Sequence, residues 1–182
     1  MFVSRVPSLM AEQLDLITSS SLQRAAQTAD AVACAHPSAR CLPGLAEMKE
    51  MCFGSAEGQV IDGDFRKKYD VVNAAWRAGE DRRWPGPGGE SPGGVAARGV
   101  DGLRSLGLLP GGGVDAPTER RVCVVAHGRF NKILISALLG DVSKASDIAQ
   151  GNTAVNVLDF GPDGQVNLVV LNERGHLLAP AA

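Results

Sequence analysis

The sequence predicts a single three-layer α/β/α domain over residues 1–182, with a mixed, mostly parallel sheet. Three observations predict this fold. The apolar, β-branched run RVCVVA at 121–126 is typical of a strand buried on both faces of a sheet, segments on either side of it show helical apolar spacing, and a hairpin pattern lies near the C-terminus. The 45% hydrophobic content is enough to furnish one well-buried core.

The first predicted elements are a strand around 14–17 and a helix that follows three serines at 19–21. Serine hydroxyls are good helix N-caps, so these residues are expected to cap that helix. Apolar residues recur at three- and four-residue spacing over 22–33, which predicts one packed helix face. A loop is predicted from 36 to 63, followed by a second helix through 65–76 that ends near a glycine.

Two glycine-rich stretches, WPGPGGESPGG at 84–94 and LLPGGGVDAPT at 108–118, flank a short helical pattern. Both are predicted to be loops within the domain, because neither flanking half is long enough to build a core alone. Near the end, TAVNVLDF at 153–160 and QVNLVVLN at 165–172 alternate as strands do and flank GPDG. This pattern predicts a hairpin closed by a type I turn.

His127 follows the predicted buried strand directly, and a helix is expected from about Asn131 to Leu139. In open α/β sheets, ligands bind at the carboxyl ends of the strands. The position therefore favours a functional role for His127 over a purely structural one, in which the ring would be buried with its hydrogen bonds formed inside the core.

Composition excludes several classes of partner. The formal net charge is −2, and no basic stripe of the kind that binds nucleic acid or anionic membranes is present. No apolar run approaches the roughly 20 residues needed to cross a bilayer. Cys34, Cys41, Cys52 and Cys123 form no CxxC pair, so they indicate neither a zinc site nor a disulfide framework. A cytoplasmic protein with reduced thiols is the prediction.

Short segments taken in order resemble the histidine phosphatase superfamily, the phosphoglycerate-mutase-like enzymes. They are SSSLQRAAQTA (19–29), EMCFGSAEG (50–58), GGES (88–91), VVAHG (124–128), GNTAV (151–155) and LNERGHL (171–177). Each is weak alone, and their order and spacing carry the resemblance. It implies a phosphoglycerate-mutase-like fold and a phosphatase or mutase that acts on a small phosphorylated metabolite without metal or nucleotide cofactor.

The resemblance also implies roles for three residues. Arg24 would bind phosphate, Glu50 would donate a proton to the leaving group, and His127 would be the second active-site histidine, with a part in both phosphate binding and catalysis. These residue types suit phosphoryl transfer, which needs cations on the equatorial oxygens and an acid for the departing alkoxide. Glu50 could supply that acid if apolar surroundings such as Phe53 favour its protonated form.

One departure from the family pattern bears on activity. Family members open with a strand that ends in Arg-His-Gly, whose histidine takes the phosphoryl group, and no Arg-His-Gly occurs in this sequence. The resemblance therefore implies an N-terminally truncated domain whose central strand is missing or replaced, with FVSRV at 2–6 as the candidate substitute. Without its nucleophile, this chain is predicted to be inactive.

Three interpretations stay open. The chain could be a truncated form of an active phosphatase, a non-catalytic phosphate-binding or interaction module (a pseudophosphatase), or a fragment that barely folds. Glu50 could also be an ordinary solvated loop residue, since Glu47 and Glu57 lie close by in the sequence. The remaining histidines, His36 and His176, are predicted to be structural.

Overall fold

A computed structural model describes residues 13–111 and 120–177 of the chain. The elements in these ranges are β1 (Leu16–Ser19), α1 (Gln23–Ala35), β2 (Arg40–Cys41), α2 (Gly63–Arg77), α3 (Pro92–Ser105), β3 (Val122–Val125), α4 (Gly128–Leu138), β4 (Val155–Phe160) and β5 (Val166–Glu173), with short 3-10 helices between some of them. The candidate strand FVSRV and most of the predicted loop at 108–118 lie outside the described residues.

The parallel sheet has the strand order β2-β1-β3. The predicted first strand is its middle member: Leu16 pairs with Val122 on one side and with Arg40 on the other. Residues 36–63 were expected to form a loop throughout, and β2 corrects that expectation. A strand of two residues has no alternation that a sequence pattern could reveal.

The predicted C-terminal hairpin is confirmed. β4 and β5 pair antiparallel, and the amide of Gly164 donates to the carbonyl of Gly161 at 3.0 Å to close the turn. Gly164 has a φ of +83°, which glycine adopts without strain. Among the described residues, the hairpin is a sheet of its own and is not hydrogen-bonded to β3, so the mixed strand directions are divided between two sheets.

The two faces of the parallel sheet pack against different helices, which confirms the three-layer arrangement. Ile17, Cys123 and Val125 pack with residues of α1 on one face. The neighbouring positions Leu16 and Val122 point the other way, as the period of two in a strand requires, and join the core built with α3 and α4. Helices therefore cover both faces of this sheet.

The strand predicted at 121–126 is present as β3, but it is less buried than expected. All four residues of β3 are only partly buried, whereas the four residues of β1 are buried. The difference follows from position, because β1 lies between two strands while β3 pairs only with β1 among the described residues.

Two of the four described α-helices have a side-chain N-cap, but the serine cap predicted for α1 is not formed. Asp62 accepts from two amides at the start of α2, and Ser91 accepts from Gly94 at the start of α3. For α1 the N-cap residue is Leu22, which has no side-chain hydrogen bond. The hydroxyl of Ser20 accepts from the amide of Leu22 at 3.1 Å, and its other contact lies in the candidate site.

No helix in the described part of the chain combines the length and apolar character needed to span a membrane.

Candidate active site

Three side chains meet where the parallel strands end. Ser20 directly follows β1, Arg24 lies in the first turn of α1, and His127 is the N-cap residue of α4, immediately beyond β3. Because β1 and β3 are adjacent and parallel, their carboxyl ends lie at the same edge of the sheet. The predicted place of His127, between a strand and a helix, is confirmed.

The imidazole of His127 lies between a hydroxyl and a guanidinium. Its Nε2 is 2.7 Å from Ser20 Oγ, and Arg24 Nε donates to its Nδ1 at 3.3 Å. Because Nδ1 accepts this bond, the proton of the neutral ring belongs on Nε2, which then donates to Ser20. Ser20 is fully buried, so its hydroxyl fixes the ring from the protein side, while exposed Arg24 approaches from solvent.

The pKa of His127 is lowered. Burial is the main cause, the positive charge of Arg24 adds to it, and the negative charge of Glu50 opposes it. Arg98 makes a smaller contribution that also lowers the pKa. His127 is therefore neutral at pH 7, and an anion placed beside it would favour the protonated ring.

Glu50 is distant from His127 in the sequence, but its carboxylate lies at the start of α4, where His127 is the N-cap residue. Its Oε1 accepts from the amide of Phe130 at 2.7 Å and from its neighbour Met51 at 2.9 Å, and its Oε2 accepts from the amide of Arg129 at 3.1 Å. A helix N-terminus attracts a carboxylate in this way. The structure thus brings Glu50 to the same helix start as His127.

The apolar surroundings expected around Glu50 are not what the structure shows. The atoms that contact its carboxylate are backbone N–H groups, and the ring of Phe53 packs against Trp84 with centroids 5.3 Å apart. The negative charge of Glu50 is thereby held by the peptide dipoles at the start of α4.

An arginine and a second glutamate hold the loop that carries Glu50. Arg98 Nε and Nη2 donate to the two carboxylate oxygens of Glu90, at 2.7 and 3.0 Å. Arg98 Nη1 also donates to the carbonyls of Glu47 and Lys49, at 2.6 and 2.8 Å. Glu90 accepts in addition from the amide of Cys52 at 2.8 Å. The loop is therefore fixed on both sides of Glu50.

The pKa of Glu90 is lowered on balance. Burial would raise it, but the hydrogen bonds from Arg98 and from the Cys52 amide lower it, as do the charges of Arg98 and Arg83. Glu90 is accordingly an ionised partner for Arg98 at neutral pH.

All residues of the candidate site lie within the range that one protein-family model matches. The model of the histidine phosphatase superfamily (branch 1) matches residues 5–174. The chain belongs to the histidine phosphatase superfamily. No curated protein gives a significant match to it.

Several solved structures are similar to this chain. A mycobacterial glucosyl-3-phosphoglycerate phosphatase in complex with inorganic phosphate is 29% identical, with a TM-score of 0.68 over 88% of this chain and 78% of that one. The same phosphatase has been solved with VO3. Two structures show likeness of fold alone: Bacillus stearothermophilus YhfR (20% identity, TM-score 0.73, 93% and 79% covered) and the α-ribazole phosphatase of Shigella flexneri (19% identity, TM-score 0.64, 91% and 78% covered).

Ser20, Glu90 and Arg98 belong to the site and were not found from the sequence. Ser20 was expected to cap a helix. The sequence does contain a pattern that could have identified Arg98. Its spacing from Val95 and Gly102, three and four residues away in a helix, places a charged residue beside the packed face of α3. A charge there requires a carboxylate partner, which Glu90 provides.

The other reactive side chains do not join the site. No group of three His, Cys, Asp or Glu residues in the described ranges could hold a metal ion. His36 is buried, and His176 lies 3.7 Å from Glu173. Burial raises the pKa of the Cys123 thiol to about 11, so this thiol stays protonated at neutral pH and is a poor nucleophile.

We predict that His127 titrates below the usual histidine pKa of about 6.5 in the free protein. Inorganic phosphate should raise the midpoint, because a bound dianion favours the imidazolium form. NMR titration of the histidine ring protons, assigned with a His127→Gln variant, measures both values. A midpoint above 6.5 in the free protein, or one that phosphate leaves unmoved, would contradict the assignment.

Proposed function

We propose that the site binds the phosphoryl group of a small phosphomonoester, and that the full-length form hydrolyses such esters through a phosphohistidine. The observation that carries this proposal is the contact between Arg24 and His127. Arg24 Nε reaches a neutral imidazole at 3.3 Å, and within the described ranges the guanidinium has no carboxylate partner. A guanidinium beside a histidine that phosphate would protonate is well suited to a phosphate dianion.

The proposed roles follow from the geometry. Arg24 and protonated His127 would donate to the phosphate oxygens, and Ser20 would hold the imidazole ring in place through its contact at 2.7 Å. Glu50 would protonate the leaving oxygen from its place at the start of α4, which it shares with His127. To do so it must first take up a proton, which would weaken its bonds to the amides. A phosphatase that resembles this chain has been solved with inorganic phosphate, which supports the class of ligand.

Turnover is proposed for a form that contains the nucleophile. In the family that group is the histidine of Arg-His-Gly, a tripeptide that the 182 residues do not contain. The chain as it stands should bind phosphate without hydrolysing esters. The same observation supports a second candidate function, that of a pseudophosphatase that uses the retained pocket for binding alone.

We place the candidate site in one domain over residues 1–182 of a cytoplasmic protein. The net charge of −2 favours a protein with neither a nucleic-acid nor a membrane partner. Hydrolysis is preferred over mutase activity because the segment between Gly58 and Asp64 is short.

The test is calorimetric titration of the 182-residue chain with inorganic phosphate. His127→Ala should weaken binding by about 10- to 150-fold, because a charge-assisted hydrogen bond contributes about 1.5–3 kcal/mol. The matched control is His176→Ala, which replaces a histidine near the end of the described residues and should leave the affinity unchanged. Equal affinity in the wild type and His127→Ala would remove the pocket assignment. Hydrolysis of an aryl phosphate by the same preparation would refute binding without turnover.

A further inference from the structure

A cavity of about 670 Å³ opens between α2 and the loops that face it, and no residue of the candidate active site lines it. Lys68, Val71 and Val72 line it from the helix, and residues 82–85 line it from the opposite side. The buried part of this lining is apolar, since Val72 is 4% exposed and Trp84 is 3% exposed. The volume is within the range of about 300–1,000 Å³ that small-molecule sites occupy in proteins.

One wall of this cavity is fixed by contact between two loops. The amide and the hydroxyl of Ser55 both donate to the carbonyl of Pro85, at 2.8 and 3.0 Å. A Cβ on Gly54, which has a φ of +54°, would overlap that carbonyl oxygen, and a Cβ on Gly86 would be 2.7 Å from Ser55. Only glycine at these two positions allows the loops to approach so closely. The wall is therefore formed without a ligand.

Positive charge dominates the lining of the cavity. No aspartate or glutamate is among the described residues that line it, whereas four cations are: Lys67, Lys68, Arg82 and Arg83. Lys67 and Arg82 each form an exposed ion pair with an acid of their own segment, at 3.3 and 3.7 Å, and such pairs contribute little to stability. Lys68 and Arg83 form no salt bridge within residues 13–111 and 120–177. Arg83 Nε donates to the carbonyl of Gly89 at 2.9 Å, which leaves its positive charge without an acidic partner there.

The cavity and the candidate active site lie on different sides of α2. Tyr69 carries the guanidinium of Arg129 over its ring, at 5.0 Å. Val71 comes two residues later, which places it on nearly the opposite side of the helix. It is apolar and yet 58% exposed, and Val60 and Ile61, which directly follow the lining residue Gln59, are 79% and 67% exposed. Exposed apolar side chains grouped beside a cavity are typical of a ligand-binding surface.

We propose that this cavity is a second ligand site, and that it binds an amphipathic organic anion, an aromatic or aliphatic body that carries one carboxylate. The body would cover Val72 and Trp84, and the carboxylate would be bound by Lys68 and Arg83. Both parts of the lining are needed, because exposed cations alone hold a small anion weakly and an apolar cavity alone does not select for charge. The inference is independent of the proposed function, since it uses no residue of the phosphate pocket.

The experiment is an NMR titration of the 182-residue chain with naphthoate and with its neutral analogue naphthamide. The signals followed are the methyl groups of Val71 and Val72 and the indole N–H of Trp84, which a Trp76→Phe variant assigns because the sequence has two tryptophans. We expect naphthoate to shift these signals and to bind at least about fivefold more tightly than naphthamide, the combined effect of two exposed charge pairs. Saturating inorganic phosphate should leave the affinity for naphthoate unchanged.

Variants identify the groups that bind the anion. Lys68→Gln and, separately, Arg83→Gln should each weaken naphthoate binding by about two- to fivefold, and the double variant should lose the preference over naphthamide. Val71→Glu should weaken it by about fivefold or more, because it places a negative charge beside the bound carboxylate. The matched control is Arg66→Gln, which removes an exposed cation of the same helix that does not line the cavity and should leave the affinity unchanged.

Three results would each overturn the inference and leave the proposed phosphate site standing: equal affinities for naphthoate and naphthamide, unshifted signals of Trp84, Val71 and Val72, or wild-type binding by the double variant. Displacement of naphthoate by phosphate would overturn it as well, because the anion would then occupy the phosphate pocket. The substituted side chains at 66, 68, 71 and 83 are all exposed, so the variants should fold, which thermal unfolding verifies.

Discussion

Arg98→Met is expected to lower the free energy of unfolding by up to about 3–5 kcal/mol, the cost of removing one partner from a buried ion pair and an upper limit for this partly buried one. The side chains of Arg98 and Glu90 are only 20% and 23% exposed. Methionine restores much of the volume but none of the donors, so the Glu90 carboxylate and the carbonyls of Glu47 and Lys49 lose their partner together. Urea unfolding followed by circular dichroism measures the change.

The control for this variant is Arg104→Met on the same helix. Arg104 pairs with Asp101 at 2.8 Å, but the two side chains are 48% and 64% exposed, so the loss should be below about 1 kcal/mol. The double variant Arg98→Met with Glu90→Gln should be more stable than Arg98→Met alone, because no unpaired charge remains. Similar losses in Arg98→Met and Arg104→Met would show that the pair does not hold the Glu50 loop.

Phe130→Ala should also cost about 3–5 kcal/mol, because it leaves a cavity in the core. Phe130 is fully buried, and its ring lies so close to α3 that a Cβ on Gly99 would be 3.2 Å from Cζ. The ring thus fixes the start of α4, where the Phe130 amide donates to Glu50. The measurement is the same urea unfolding, with the slope compared between variants to detect a change in the unfolded state.

Leu139→Ala is the matched control for Phe130→Ala. Leu139 is the C-cap residue directly after α4 and is 46% exposed, so its truncation should cost less than about 1 kcal/mol. A loss of stability as large as that of Phe130→Ala would contradict this prediction, because it would mean that an exposed residue at the end of α4 contributes as much as the buried ring at its start.

Local patterns predicted the parts of the fold and site that depend on nearby residues. The position of His127 followed from a strand, a glycine and a helix in immediate succession, and the hairpin followed from alternation around GPDG. The roles of Arg24 and Glu50 came from the family resemblance, and the structure places both side chains near His127.

Contacts between distant segments could not be predicted in this way. The hydroxyl of Ser20 can serve a helix amide or a distant ring, and only the pairing of β1 with β3 brings His127 within 2.7 Å of it. The bond between Arg98 and the carbonyl of Glu47 likewise requires that α3 cross the loop before Glu50. Partial burial of β3 depends on its place in the sheet, which its own apolar sequence does not encode.

The bonds from Glu50 to the start of α4 also determine how the site can adjust. Because the carboxylate is tied to the amides of Arg129 and Phe130, Glu50 and His127 move as one unit whenever α4 shifts. Arg24 belongs to α1, across the sheet edge, and its guanidinium contacts that unit at the imidazole, at 3.3 Å. A larger ligand can therefore be admitted by movement of the exposed Arg24 side chain away from the ring, while the spacing between Glu50 and His127 stays the same.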